Sequence, residues 1–166
     1  ALYFENGLVN SHIGGDFINN HAYEGGAIFV NGDIENSLIS AYFANNSALR
    51  GGAICTGSII NTEIDGDFFN NTVQFLEYFP LTDDMNCLGG AIFSNGVIED
   101  SSIEGDFVLN QAGNLGGAIF VLEGIDRSKV TGSFMHNIAL LGGALNTPSI
   151  KNSNISAKFI NNTALI

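Results

Sequence analysis

Four carboxylates stand at equivalent positions of two neighbouring sequence repeats. Asp65 and Asp67 flank the glycine of one Ile-x-Gly-x-Phe segment, and Glu104 and Asp106 flank the glycine of the next. If successive repeats stack as strands, these like charges lie ~4.8 Å apart and repel one another. A bound Ca²⁺ would remove that repulsion, because hard cations prefer carboxylate oxygens. The four residues are therefore a candidate Ca²⁺ site, and the alternative is an acidic face relaxed by water and counter-ions.

Paired carboxylates also serve as acid and base in polysaccharide hydrolases, and lyases combine a base with Arg or Lys. In the repeat alignment we find none of the five basic residues in the columns of the four carboxylates. The basic residues are Arg50, Arg127, Lys129, Lys151 and Lys158. The three histidines (His12, His21, His136) occupy different columns, and no Ser or Cys nucleophile is paired with a base. We therefore expect no catalytic residue.

An internal repeat defines these columns. The string Gly-Gly-Ala-Ile begins at Gly25, Gly51, Gly89 and Gly116, and returns with Leu at Gly142, in steps of 26, 38, 27 and 26 residues. Such periods indicate a solenoid in which each copy begins another turn. The predicted coils are 1–26, 27–52, 53–90, 91–117, 118–143 and 144–166. Because the chain starts and stops within the pattern, we expect it to be one β-helix segment of a longer repeat protein.

Each repeat contains an apolar residue, a small residue and Phe at alternate positions, which places all three on one face of a strand. This face predicts the core, with a column formed by Phe17, Phe43, Phe68, Phe107, Phe134 and Phe159. Three residues after each Phe stands Asn, and stacked Asn amides form ladders in cross-β structure. The predicted structural ladder is Asn20, Asn46, Asn71, Asn110, Asn137 and Asn162.

No segment has helical periodicity, and the leucines that a leucine-rich repeat requires are missing. The sequence therefore predicts an all-β fold, a right-handed parallel β-helix of about six coils of ~26 residues, ~29 Å long.

One coil carries an insertion, the loop 72–88. Its aromatic residues Phe75, Tyr78 and Phe79 are candidates for partner binding, because aromatic side chains anchor interfaces; they could equally lie against the rod. Cys87 ends the loop and is a candidate disulfide partner of Cys55, provided that the Cα atoms lie within ~7 Å. The alternative for Cys55 is a small apolar filler.

Charge and hydropathy exclude two function classes. The formal net charge is −12, from 17 acidic and 5 basic residues, whereas nucleic-acid binding needs clustered Lys and Arg. No apolar run approaches the ~20 residues of a membrane-spanning helix. We expect neither nucleic acid as a partner nor a membrane-spanning segment in this stretch.

The pair of motifs Gly-Gly-Ala-[Ile/Leu] and Phe-x-x-Asn resembles the twin tetrapeptide repeats of the chlamydial polymorphic membrane proteins. Five copies of the first motif and six of the second cover the whole chain. The resemblance implies a secreted, surface-displayed β-helix used in adhesion, in many members as part of an autotransporter.

We therefore expect a non-catalytic, extracellular or cell-surface adhesin-like stalk that displays binding surfaces. Its expected partners are a receptor on a host or neighbouring cell, or copies of itself, with no cofactor apart from the candidate Ca²⁺. The alternatives are a structural subunit of an extracellular filament or coat and, second, a polysaccharide-active β-helix enzyme.

Overall fold

The strands of successive coils pair in parallel and build a β-solenoid. A computed structural model describes residues 1–73 and 87–166, and every regular element among them is a β-strand. Each coil adds one strand to parallel sheets that run along the rod, of which three have six strands and one has five. The predicted parallel β-helix of about six coils is confirmed.

Four sheets follow one another along each coil, and we number them in that order. Sheet 1 contains Leu2–Phe4, Ile28–Val30, Ile54–Thr56, Ile92–Ser94, Ile119–Val121 and Leu145–Asn146. Sheet 2 contains Leu8–Val9, Ile34–Glu35, Ile59–Ile60, Val97–Glu99, Gly124–Asp126 and Ile150–Lys151. Sheet 3 contains His12–Ile18, Leu38–Ala44, Glu63–Phe69, Ser102–Val108, Lys129–Met135 and Asn154–Ile160. Sheet 4 contains Ser47–Ala48, Thr72–Val73, Gln111–Ala112, Ile138–Ala139 and Thr163–Ala164.

The register pairs each residue with its equivalent in the next coil. Phe68 is the partner of Phe43 on one side and of Phe107 on the other. Ile64 and Phe68 have no solvent exposure, while Asp65 between them is exposed. The period-two pattern of the sequence therefore separates an apolar interior from a polar exterior in sheet 3.

Single residues in the left-handed conformation turn the chain between sheets. The bends from sheet 2 to sheet 3 use Asn10, Asn36, Asn61, Asp100, Arg127 and Asn152. The bends from sheet 3 to sheet 4 use Asn19, Asn45, Asn70, Leu109, His136 and Asn161. Asn tolerates positive φ better than other non-glycine residues, which accounts for its frequency at these bends.

The repeated Gly-Gly pair meets two different steric demands. Gly51 has φ of +57°, and Gly52 lies so close to the next coil that a Cβ atom would overlap the carbonyl oxygen of Gly90. Both positions therefore require glycine.

The stack continues on both sides of the insertion. Strand Thr72–Val73 pairs with Ser47–Ala48 and with Gln111–Ala112, and Leu88 bridges to both adjacent coils. The candidate partner-binding residues Phe75, Tyr78 and Phe79 lie outside the described residues. A membrane-spanning helix is not found among residues 1–73 and 87–166.

Candidate functional site

The six predicted ladder asparagines lie in one column, directly after the bend that leaves sheet 3. The side-chain Nδ2 of Asn71 donates to Asn110 Oδ1 and to the Phe43 carbonyl oxygen, both at 3.0 Å. Its Oδ1 accepts from Asn46 Nδ2 at 2.9 Å and from the Asn46 backbone N–H at 3.1 Å. Asn46, Asn71, Asn110 and Asn137 are fully buried. The ladder thus satisfies polar groups that would otherwise be costly to bury.

The six predicted core phenylalanines form a continuous stack inside the rod. Adjacent ring centroids are 4.6–5.1 Å apart, with interplanar angles of 3–14°. Phe43, Phe68, Phe107 and Phe134 are fully buried. The column therefore contributes apolar burial and fixes the coil-to-coil register.

A second ladder, made of hydroxyl groups, runs along the bend from sheet 2 to sheet 3. In the first five coils the backbone N–H of the ladder residue donates to the hydroxyl oxygen of the equivalent residue in the next coil, at 2.9–3.2 Å. Each hydroxyl donates to the carbonyl two residues earlier at 2.6–2.9 Å. Its members are Ser11, Ser37, Thr62, Ser101, Ser128 and Ser153. A hydroxyl at a fixed repeat position was the sequence signal for this ladder, although spacing alone did not indicate its hydrogen bonds.

The four candidate calcium ligands lie on the outer face of sheet 3, and the side chains of two of them make other contacts. Asp67 Oδ1 accepts from the Asp106 backbone N–H at 2.9 Å, and Glu104 lies 3.7 Å from Lys129 Nζ. Among residues 1–73 and 87–166, no three His, Cys, Asp or Glu side chains come together as a metal site. The assignment of Ca²⁺ to Asp65, Asp67, Glu104 and Asp106 stays a prediction, and the register places Asp65 beside Glu104 in one column of this open face.

Basic residues are closer to these carboxylates than the repeat alignment indicated. Lys129 contacts Glu104. In addition, Asp106 pairs in register with Ser133 of the next coil, and Ser133 pairs with Lys158 of the coil after that, so Lys158 shares the column of Asp106. The expectation that no basic residue shares these columns was therefore wrong. Long side chains also reach diagonal neighbours of a sheet, which column assignment ignores.

Cys55 and Cys87 are separate, buried thiols, so the candidate disulfide is not present in this structure. Cys55 pairs in register with Phe93 and packs in an apolar cluster, whereas the Cys87 N–H donates to the Leu49 carbonyl, six residues before Cys55 along the coil. Burial raises the pKa of the Cys55 thiol strongly, with Glu24 adding to the effect. Burial also raises the pKa of Cys87, to about 11. Neither is poised as a nucleophile.

An open groove of about 1080 Å³ follows the corner between sheets 2 and 3 along all six coils. We call it the corner groove. Its lining comprises the left-handed bend residues between sheets 2 and 3, the hydroxyl ladder and the first residue of each of the six sheet 3 strands. That last row consists of His12, Leu38, Glu63, Ser102, Lys129 and Asn154. The sequence did not predict this groove, because its concavity depends on the angle of the bend.

An ion cluster around Arg127 includes two residues that line the groove, Asp100 and Arg127 itself. Arg127 Nε lies 2.8 Å from Asp100 Oδ1, Nη1 lies 2.7 Å from Asp126 Oδ2, and Nη2 contacts Glu99. The hydrogen bond from Arg127 holds the pKa of Asp100 below its ordinary value. The cluster ties two coils together and more than neutralises the guanidinium charge.

Comparison with known proteins gives one family-level match. Searches of curated proteins and of solved structures each found no match. Residues 40–57 match the model of the Chlamydia polymorphic membrane protein repeat, a segment that contains Phe43-x-x-Asn46 and Gly51–Ile54. This confirms the resemblance read from the motifs: the chain carries a repeat of the polymorphic membrane protein type, the repeat of a surface-associated protein family.

Proposed function

We propose that the chain is a segment of a non-catalytic, extracellular adhesin-like stalk, exposed at the cell surface, that displays binding surfaces to a receptor on another cell. The observation that carries the proposal is the repeat match at residues 40–57, which links the chain to a surface-associated family. The same two motifs recur through the other coils, so the whole rod shares this architecture.

The mechanics of the rod support a display role. The Phe stack and the two ladders repeat the same contacts in every coil, so each coil holds its neighbour in one register. A solenoid of this kind is a stiff one-dimensional scaffold whose outer side chains can vary without disturbing its interior. Outward positions of sheet 3 vary accordingly, as in Ser40, Asp65, Glu104 and Thr131.

The absence of catalysis is part of the proposal. The carboxylates of sheet 3 lie on an open face, and the buried thiols have raised pKa values. Arg127 is engaged by three carboxylates. Their placement supports a non-catalytic role, because general acid–base catalysis needs groups positioned at a bound substrate.

Surface labelling of intact source cells tests the proposal. Antibodies raised against this chain should label intact cells, and brief external protease treatment should remove the signal. Antibodies against a cytosolic protein provide the control and should label only permeabilised cells. If this chain is also detected only after permeabilisation, the surface-stalk proposal is wrong.

A further inference from the structure

We propose that the corner groove binds an extended, uncharged polysaccharide lying parallel to the rod axis. This inference rests on the proposed function, because it names the ligand class that a displayed rod would contact. Its first support is shape: the groove runs from Asn10 and His12 in the first coil to Asn154 in the last. Six coils spaced ~4.8 Å apart provide a path of ~29 Å, which suits a long, narrow polymer.

The groove wall repeats hydrogen-bonding groups in every coil. Asn10, Asn36, Asn61 and Asn152 are exposed on one side. Asn61 Nδ2 donates to Asn36 Oδ1 at 2.6 Å and Asn152 Nδ2 donates to Asp126 Oδ1 at 3.0 Å. An amide has two N–H groups and an oxygen with two lone pairs, so each keeps capacity to bind a ligand. Of the described lining residues, Leu38 alone is apolar. A wall of this composition recognises a ligand rich in hydroxyl groups, and it offers little to an apolar chain.

Charge argues against an anionic polymer. The chain carries a net charge of −12, and the groove cations already have acidic neighbours: Arg127 contacts Glu99 and Asp100, and Lys129 lies near Glu104. A polyanion would have to displace these contacts while approaching an acidic surface. The uncharged class of glycan avoids both costs.

The backbone argues against an extended peptide. A peptide that binds by strand addition needs a free sheet edge. Along the corner groove, strands of sheets 2 and 3 pair with the equivalent strands of neighbouring coils. Their N–H and C=O groups therefore point along the rod axis into existing ladders rather than into the groove.

The period of the rod predicts how affinity depends on ligand length. A glycan that lies along the groove passes the same bend and strand positions once in every coil, although the side chains at these positions differ. Contacts within one polymer act together, and affinity should rise steeply with the number of sugars.

Calorimetric titration of the purified chain with uncharged cello-, chito- and xylo-oligosaccharides of two and of six sugars tests this inference. We expect hexasaccharides of at least one series to bind, and disaccharides to bind at least about tenfold more weakly. The double variant Glu63→Ala, Lys129→Ala removes one carboxylate and one ammonium from the groove, and should weaken hexasaccharide binding about tenfold or more.

The matched control is Asp65→Ala, Lys158→Ala, which makes the same charge change at exposed sheet 3 positions outside the groove. It should leave affinity within about twofold. No binding of any hexasaccharide, or equal weakening by both double variants, would overturn the inference. Surface labelling of cells is independent of this titration, so failure of the groove is distinguishable from failure of the surface-stalk proposal.

Discussion

Replacing Asn71 by Ala should destabilise the rod far more than the same change at an exposed asparagine. The Asn71 side chain is fully buried and takes part in four hydrogen bonds, two as donor and two as acceptor. At about 1 kcal/mol net for each bond, their loss lowers the free energy of unfolding by about 4 kcal/mol. The Asn71 backbone N–H keeps its own bond to Asn110 Oδ1 at 3.0 Å in the variant, so the predicted loss concerns the side chain alone.

Urea denaturation followed by circular dichroism measures the effect, provided that the m-value is unchanged between variants. Asn154→Ala is the matched control, because Asn154 is exposed on a sheet 3 strand. This variant should change the free energy of unfolding by no more than about 0.5 kcal/mol. Asn20→Ala should fall between the two, since Asn20 is only half-buried and its amide donates to one ladder oxygen, Asn46 Oδ1.

Hydrogen exchange provides a local readout of the same change. The backbone N–H of Asn46 loses its acceptor in Asn71→Ala and should exchange faster, whereas the equivalent N–H of Asn137, bonded to Asn162 Oδ1 at 3.0 Å, should be much less affected. If Asn71→Ala is as stable as Asn154→Ala and the Asn46 amide remains protected, the ladder does not stabilise the rod as argued.

Three further predictions concern the Phe stack, the close approach of Gly52 to the next coil, and the ion cluster. Phe68→Ala removes a fully buried ring from the Phe stack and should lower the free energy of unfolding, measured in urea, by about 3–5 kcal/mol. Phe69→Ala should lower it by about 1 kcal/mol or less, because that side chain is 39% exposed. Similar losses of unfolding free energy in the two variants would contradict the assignment of Phe68 to the inner face and Phe69 to the outer face. Gly52→Ala places a Cβ against the next coil and should lower the free energy of unfolding by about 3 kcal/mol or more. In Gly14→Ala the nearest contact of the added Cβ is at 3.3 Å, so this variant should melt within a few degrees of wild type. Equal melting temperatures of the two variants would refute the steric argument. The pKa of Asp100 is lowered in the folded protein, so its contribution to stability is present above the ordinary carboxyl pKa of 3.8 and is lost as the pH falls through the lower folded pKa. The urea midpoints of wild type and Asp100→Asn should therefore differ at about pH 6 and converge as the pH falls below 3.8. A difference that stays constant with pH would exclude the ion pair as the cause.

The sequence predicted those features that depend on position within one repeat. Phe68 and Asn71 could be assigned to columns because parallel stacking carries each repeat position onto its equivalent in the next coil. The corner groove and the Arg127 cluster could not be predicted in this way. They depend on the angle of a bend and on the reach of long side chains between coils, and neither is encoded in residue spacing. Lys129 illustrates the limit, because it contacts Glu104 diagonally rather than within its own column.

Electron microscopy of the protein as it is purified from its own source tests the surface-stalk proposal most directly. A surface stalk predicts separate thin rods, each attached at one end to membrane or wall material. Regular polymers built from these coils would contradict the stalk proposal and identify the molecule as the building block of an extracellular assembly.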